Sequence, residues 1–226
     1  KANQTLIAGD TVYVLAGTYE ESIYPSNSGT NGNPITYKNY NYDEANIKGV
    51  EVGINFLNRN YIRVDGFKLN NGNQASSSMI IGVQFSNSTH CIVKNCEIKY
   101  IRIGEVNRGI WMNENHQSSY CQILNSTIEY VGQNNSDIGD GIWLKGDHHI
   151  VSGNTVDFCG HAGIYVDADK SIIKNNTCYG SWAKPMNIGT TDTYYRFVVE
   201  NNTIRNIHAY ASPTAPSTGV QINGCN

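Results

Sequence analysis

One short pattern returns along this chain every 22 to 30 residues, and few folds can hold it. The unit reads apolar, any, apolar, any, Asn or Gly, small or polar, any, apolar. It spans Ile62 to Leu69, Cys91 to Ile98, Cys121 to Ile128, His149 to Val156, Ser171 to Cys178 and Phe197 to Ile204. Its sixth position is Phe67, Cys96, Ser126, Asn154, Asn176 and Asn202, in steps of 29, 30, 28, 22 and 26 residues. A second pattern, Gly, Ile or Val, any, apolar, interleaves with it. That one is seen at Gly82-Val83-Gln84-Phe85, Gly109-Ile110-Trp111-Met112, Gly141-Ile142-Trp143-Leu144 and Gly163-Ile164-Tyr165-Val166. After a degenerate turn near Met186-Asn187-Ile188 it returns at Gly219-Val220-Gln221-Ile222.

Repeats of this length with alternating apolar residues are stacked β units. Each is too short for a βαβ crossover with its strands. A four-stranded propeller blade needs about 40 residues or more. A coil of a single-stranded right-handed parallel β-helix fits, with about 22–32 residues per coil in an all-β solenoid. Every strand then pairs with its copy one coil away, at about 4.8 Å. The composition agrees: the chain of 226 residues holds 30 Asn and 22 Gly but only 15% charged residues. Asn tolerates the left-handed conformation of a tight corner and bonds to an identical Asn above and below. Asn154, Asn176 and Asn202 are the expected ladder.

The chain reads as one domain over 1–226, less regular over 1–48 and regular over 49–226. With no leader at Lys1 and no evident cap after Ile222, it is expected to be a fragment of a longer protein. A net charge of −3 and a pI near 6.1 offer no basic field for nucleic acid or an anionic membrane. No apolar run reaches the roughly 18 residues of a membrane span. Six cysteines, at 91, 96, 121, 159, 178 and 225, lack metal-pair spacing and are expected to be buried thiols. One disulfide through Cys159 or Cys178 stays open.

Strand alternation sets directions. In each Gly unit the second and fourth residues face inward, so Trp111, Trp143 and Tyr165 form an outward column. Such a column is a platform for sugar rings, a ladder under a loop, or a contact with a partner chain. Beside it stand Asn113, Lys145 and Asp167 on one line, with Arg108, Asp140 and His161 just before the strands. Glu114, Asp147, His148 and Asp169 lie in the turns beyond. His149 is expected to face inward and His148 outward.

The phrase "AGDTVYVLAGTYEESI…SGTNGNPITYKNY", followed by "NYIRVDGFKLNN", resembles the start of secreted right-handed β-helix proteins. That superfamily holds pectate-lyase-like and chondroitinase-B-like polysaccharide lyases, with hydrolases, epimerases, adhesins and tailspikes beside them. The resemblance implies a secreted or cell-surface protein that engages an extracellular, acidic polysaccharide. It also implies β-elimination by a Lys base, an Arg one coil later, and Ca²⁺ held by Asn and acidic side chains. Lys145 falls where the base would be, with Asp140 and Asn107 where two metal ligands would be and Glu114 as a third. Two positions depart from the family: Asp167 stands in place of the Arg and Ile138 in place of a second carboxylate. The catalytic candidates are therefore Lys145, Asp167 and His161 as a reserve base. Trp111, Trp143, Tyr165, Asn113 and Arg108 are the candidates for binding substrate. No organic cofactor is expected. Paired carboxylates for glycoside hydrolysis, at Asp140 and Asp167, are a lesser alternative. A reading of another class is a non-catalytic adhesin, spike or filament subunit, monomeric or associating end to end or laterally. A degenerate lyase that binds without cutting stands between the two.

Overall fold

The computed structural model describes residues 2–70, 72, 79–101, 107–113, 118–132, 139–181, 184–189, 196–205 and 220–222. One four-residue helix, Ala2–Thr5, precedes the strands. The chain then winds through three parallel sheets in turn, as a single-stranded β-helix. The first sheet runs from Thr11–Val14 to Phe197–Glu200, and the second from Gly17–Tyr19 to Thr203–Arg205, with eight strands each. The third runs from Val52–Asn55 to Val220–Ile222.

Register follows the repeat. Arg63 pairs with Ile92, Ile92 with Gln122, Gln122 with Ile150, Ile150 with Ile172, and Ile172 with Val198. The degenerate stretch is a strand in full register: Lys184–Ile188 pairs Met186 with Ile164 below and Val220 above. Inward residues therefore stack as columns. Val64, Val93, Ile123, Val151 and Ile173 rise from the first sheet, and Ile54, Val83, Ile110, Ile142 and Ile164 from the third, all fully buried. Each such side chain contributes about 1.5–3 kcal/mol by leaving water.

The Asn ladder forms as expected, at a different corner position from the left-handed residue. Asn154 and Asn176 each donate a backbone N–H and an Nδ2–H to the Oδ1 of the next Asn up, at 2.9–3.0 Å. Each Nδ2 also caps a carbonyl one coil below, Ile123 for Asn154 and Val151 for Asn176. The left-handed conformation belongs to the preceding residue: Gly66, Asn95, Asn125, Gly153, Asn175 and Asn201 have φ between 47° and 85°. The corner thus divides two duties. One exposed residue reverses the chain, and the buried one after it bonds between coils.

The glycines opening the third-sheet strands have a steric reason. Gly82, Gly109, Gly141 and Gly163 have no positive φ, yet a Cβ on Gly109 would lie 2.5 Å from the Gly141 carbonyl oxygen and 2.6 Å from Ile128 Cγ2. The second and third sheets meet there too closely for any side chain.

Two outer stacks escape the repeat as first read. Tyr61, His90, Tyr120 and His148 stack ring on ring at 4.5–5.0 Å, each with positive φ. Tyr100, Tyr130 and Phe158 do the same at 5.0–5.1 Å. Cys91, Cys96, Cys121, Cys159 and Cys178 are buried and free, so no disulfide joins Cys159 or Cys178 among the described residues. Burial pushes Cys96 up to about 11 and Cys178 up to about 12. Cys225 lies outside the described residues.

Asn176→Ala strands the Val151 carbonyl and removes the acceptor for Asn154, and is expected to cost about 2–4 kcal/mol in urea unfolding. Asn176→Ser is expected to cost less, since Ser126 holds the equivalent place two coils below. Gly109→Ala is expected to cost about 2–3 kcal/mol through backbone overpacking.

Candidate functional site

The outer face of the third sheet carries the columns that alternation predicts. Gln84, Trp111, Trp143, Tyr165 and Asn187 follow one another in register, with Asn55 below and Gln221 above. Lys145 pairs with Asp167 on the neighbouring line. The side chains of Gln84, Trp111, Trp143, Tyr165 and Lys145 point outward because the inward positions between them hold Ile110, Ile142, Ile164 and their partners in the core.

The aromatic column differs from an open platform. Trp111, Trp143 and Tyr165 are half-buried. The Arg108 guanidinium lies 4.6 Å from the centroid of the Trp143 ring, and Tyr165 meets that ring at 5.2 Å with a 55° tilt. Arg108 enters from one coil below, opposite Asp140, three positions before Trp143, so its side chain reaches the indole. A sugar ring laid flat on Trp143 would compete with both neighbours.

Asp140 organises the near end of the face. It is 2% exposed, opens its strand, and receives Arg108 Nε at 3.1 Å on Oδ2, an ion pair without hydrogen-bond alignment. His161 Nδ1 lies 2.8 Å from its Oδ1. An ionised carboxylate only accepts, so Nδ1 is the donor and the neutral imidazole keeps its lone pair on Nε2. Asp140 thereby favours the tautomer whose lone pair is on the far side of the ring.

Lys145 is not a free amine. Its ammonium forms an ion pair with Asp167, whose carboxylate is 5% exposed. An opposite charge this close favours the charged form of the amine, whereas a base needs the neutral one. Asp167 Oδ1 is buried without a partner. Asn113 is half-buried on the same line, its backbone N–H bonded to the Phe85 carbonyl.

Of the three expected Ca²⁺ ligands, Asn107 and Asp140 adjoin one another on neighbouring coils. Asn107 is buried, with its carbonyl accepting from Arg108 and from the Asp140 N–H. Asp140 does not fit a Ca²⁺ ligand as placed: both oxygens are engaged, one by a guanidinium that a cation would have to displace. Glu114 lies outside the described residues, as does Ile138. Among the described residues no three His, Cys, Asp or Glu side chains converge on a metal position. Asp147 pairs with His148 at 2.9 Å, and Asp169 meets Lys170 and Arg196, away from this cluster. His149 is fully buried, as expected, with Nδ1 accepting the Cys121 backbone N–H.

One feature of the face has no sequence signature. Buried side-chain polar atoms almost always find partners. Among the described residues, Ser86 Oγ, Trp111 Nε1, Trp143 Nε1 and Asp167 Oδ1 do not, and all four lie on this one face. Tyr37 Oη and Asn46 Oδ1 are unpartnered elsewhere.

Because Asp140 is buried against Arg108, Asp140→Ala is expected to cost about 3–5 kcal/mol by leaving the guanidinium uncompensated. His161→Ala is expected to cost under about 1 kcal/mol, since the ring is partly exposed. Thermal melts of the two variants check this order.

Comparisons with known proteins agree with the architecture. The sequence profile of the family described as right-handed beta helix region matches residues 116–226. An uncharacterised protein of Bacillus subtilis (strain 168), YwoF, is 30% identical over 111 residues, 45% of this chain. The chain spans 24% of that protein's length. Pectate lyase Pel9A superposes with a TM-score of 0.66 at 14% identity, over 98% of this chain and 71% of the lyase. An alginate lyase from Paenibacillus sp. str. FPU-7 gives 0.59 at 16% identity, over 96% of this chain and 93% of the lyase. The Dettilon tailspike protein gives 0.51 at 14% identity, over 96% of this chain and 56% of its own. At these identities the likeness is one of fold. No helix among the described residues is long and apolar enough to cross a membrane.

Proposed function

This chain is a right-handed parallel β-helix protein, and we propose that it engages an extracellular acidic polysaccharide along the outer face of its third sheet. The observation that carries this reading is the concentration of unpartnered buried polar atoms there, beside Arg108, Lys145 and His161. A site that leaves donors and acceptors unpaired without its ligand is expected to bind groups that pair them. A linear polymer lying along the helix axis would meet Trp111, Trp143 and Tyr165 coil by coil. The similar structures support the polymer class, since two act on pectate and alginate by their names.

Where the chain cuts, the chemistry that suits these residues is β-elimination, with roles that differ from those the sequence suggests. His161 Nε2, oriented by Asp140, takes the C5 proton next to the sugar carboxylate; the C4–O glycosidic bond breaks as the C4–C5 double bond forms, and the leaving oxygen takes up a proton from water. Lys145 and Arg108 are fixed cations for the charge that develops as it leaves. Asp167 holds the Lys145 ammonium in place through their ion pair. No step here depends on Ca²⁺.

A second reading, a spike or adhesin that binds and does not cut, has one observation in its favour. Lys145 and Arg108, two cations of the face, are both already engaged by carboxylates. The likeness to a tailspike protein is compatible with it.

The test is binding and cleavage on alginate, pectate, chondroitin sulfate and a neutral glucan. Affinity electrophoresis reads binding, and ultraviolet absorbance of the unsaturated product reads elimination. Retarded migration on an acidic polymer with rising absorbance is expected, with the absorbance lost and the retardation kept in His161→Ala. Retardation with a flat trace moves the weight to the spike. No retardation on any polymer overturns the reading.

A further inference from the structure

Trp111 and Trp143 are register partners on neighbouring coils, on strands about 4.8 Å apart. Each indole nitrogen is shut away from solvent with no partner. An indole N–H can only donate. The Trp143 ring is already occupied by Arg108 and Tyr165, so its edge is what remains for a ligand. Two donors on paired residues of neighbouring coils suit a group that presents two acceptor oxygens. Arg108, beside them, favours that group being an anion. Further along the same face the unpartnered atom changes polarity: Asp167 Oδ1 can only accept. It would repel an anion and receive a hydroxyl.

We propose that Trp111 and Trp143 recognise a carboxylate of the glycan through their indole N–H groups, and that Asp167 Oδ1 accepts a hydroxyl of an adjoining sugar. This rests on the polysaccharide reading of the same face and assigns its polarity. The carboxylate lies over the coils of Trp111 and Trp143, and an uncharged, hydroxyl-bearing part of the chain lies over the coil of Asp167. Entry requires the Arg108 side chain to leave the Trp143 ring and turn toward the incoming charge. The tryptophans then act as donors and not as stacking surfaces.

The test uses the indole N–H signals of the ¹⁵N-labelled chain, which has three tryptophans, at 111, 143 and 182. The probes are oligomers of alginate and of polygalacturonate, with a neutral oligosaccharide of equal length as control. On binding of a uronate oligomer, two of the three signals are expected to move downfield, as donors do on gaining an anionic acceptor, while the neutral oligomer leaves all three in place. Trp111→Phe and Trp143→Phe keep a ring and lose the donor. Each is expected to weaken uronate binding about tenfold, the size of one buried hydrogen bond. The wild-type signals need no variant, so a misfolded variant leaves the test intact. Uronate binding with unmoved indole signals, or with wild-type affinity in both Phe variants, overturns the donor assignment and leaves the polysaccharide face standing. Equal binding of the neutral oligomer overturns the carboxylate. Binding of neither overturns this inference and the proposed function together.

Discussion

Backbone hydrogen bonding between coils is the constraint on which the rest of this structure depends. Among the described residues, no strand of the three sheets pairs with another strand of its own coil. The partners of Ile92–Lys94 are Ile62–Asp65 below and Gln122–Leu124 above, and so for every coil. A residue is therefore judged with its copies. An apolar residue at Val93 is stable because Val64 and Ile123 stack on it in the core. A Gly is required at 109 because the carbonyl of Gly141 passes where its side chain would be.

That constraint also shapes the corners. Each coil must turn without losing its inter-coil bonds. The chain assigns the left-handed conformation to Asn125, Gly153 or Asn175 and the bonding to the buried residue that follows. Asn154 and Asn176 satisfy both the backbone they sit in and the carbonyl beneath them, so a polar group can be buried inside a largely apolar column. Where the ladder passes to Ser126 and then Cys96, the bonds become single ones, from Ser126 N–H to Asn154 and from Cys96 N–H to Ser126 Oγ.

The outer face of the third sheet obeys the same register but not the same economy. Its neighbours include a guanidinium over an indole, a buried aspartate facing a histidine one coil up, and a lysine tied to a carboxylate. Residues 21 or 22 apart in sequence become direct contacts, as for Asp140 with His161 and Lys145 with Asp167. Elsewhere the coils satisfy most of their buried polar atoms, while here several are left without partners. A fold built from self-complementary columns can afford such a face on one side, because the other two sheets and the core hold the coils together.

The repeat units from Ile62 to Ile204 carried the solenoid, its register and its inward columns in plain view, since a period of one coil and an alternation of two leave no other parallel arrangement. They also brought Arg108, Asp140, Lys145, His161 and Asp167 onto one face, because register alone puts them there. The stacks through Tyr61 and Tyr100 were written in the same way, one position before the unit and two after it, and needed only a wider window. What the sequence could not contain was the state of each side chain. Whether Lys145 is a base or a held cation depends on how far Asp167 reaches across one coil. Whether Trp143 offers a face or an edge depends on where Arg108 lies, and whether Asp140 holds a metal or a histidine depends on what fills its two oxygens. Those are matters of ångströms between side chains of different coils. Linear sequence determined which residues are neighbours, and only tertiary structure decided which of their atoms meet.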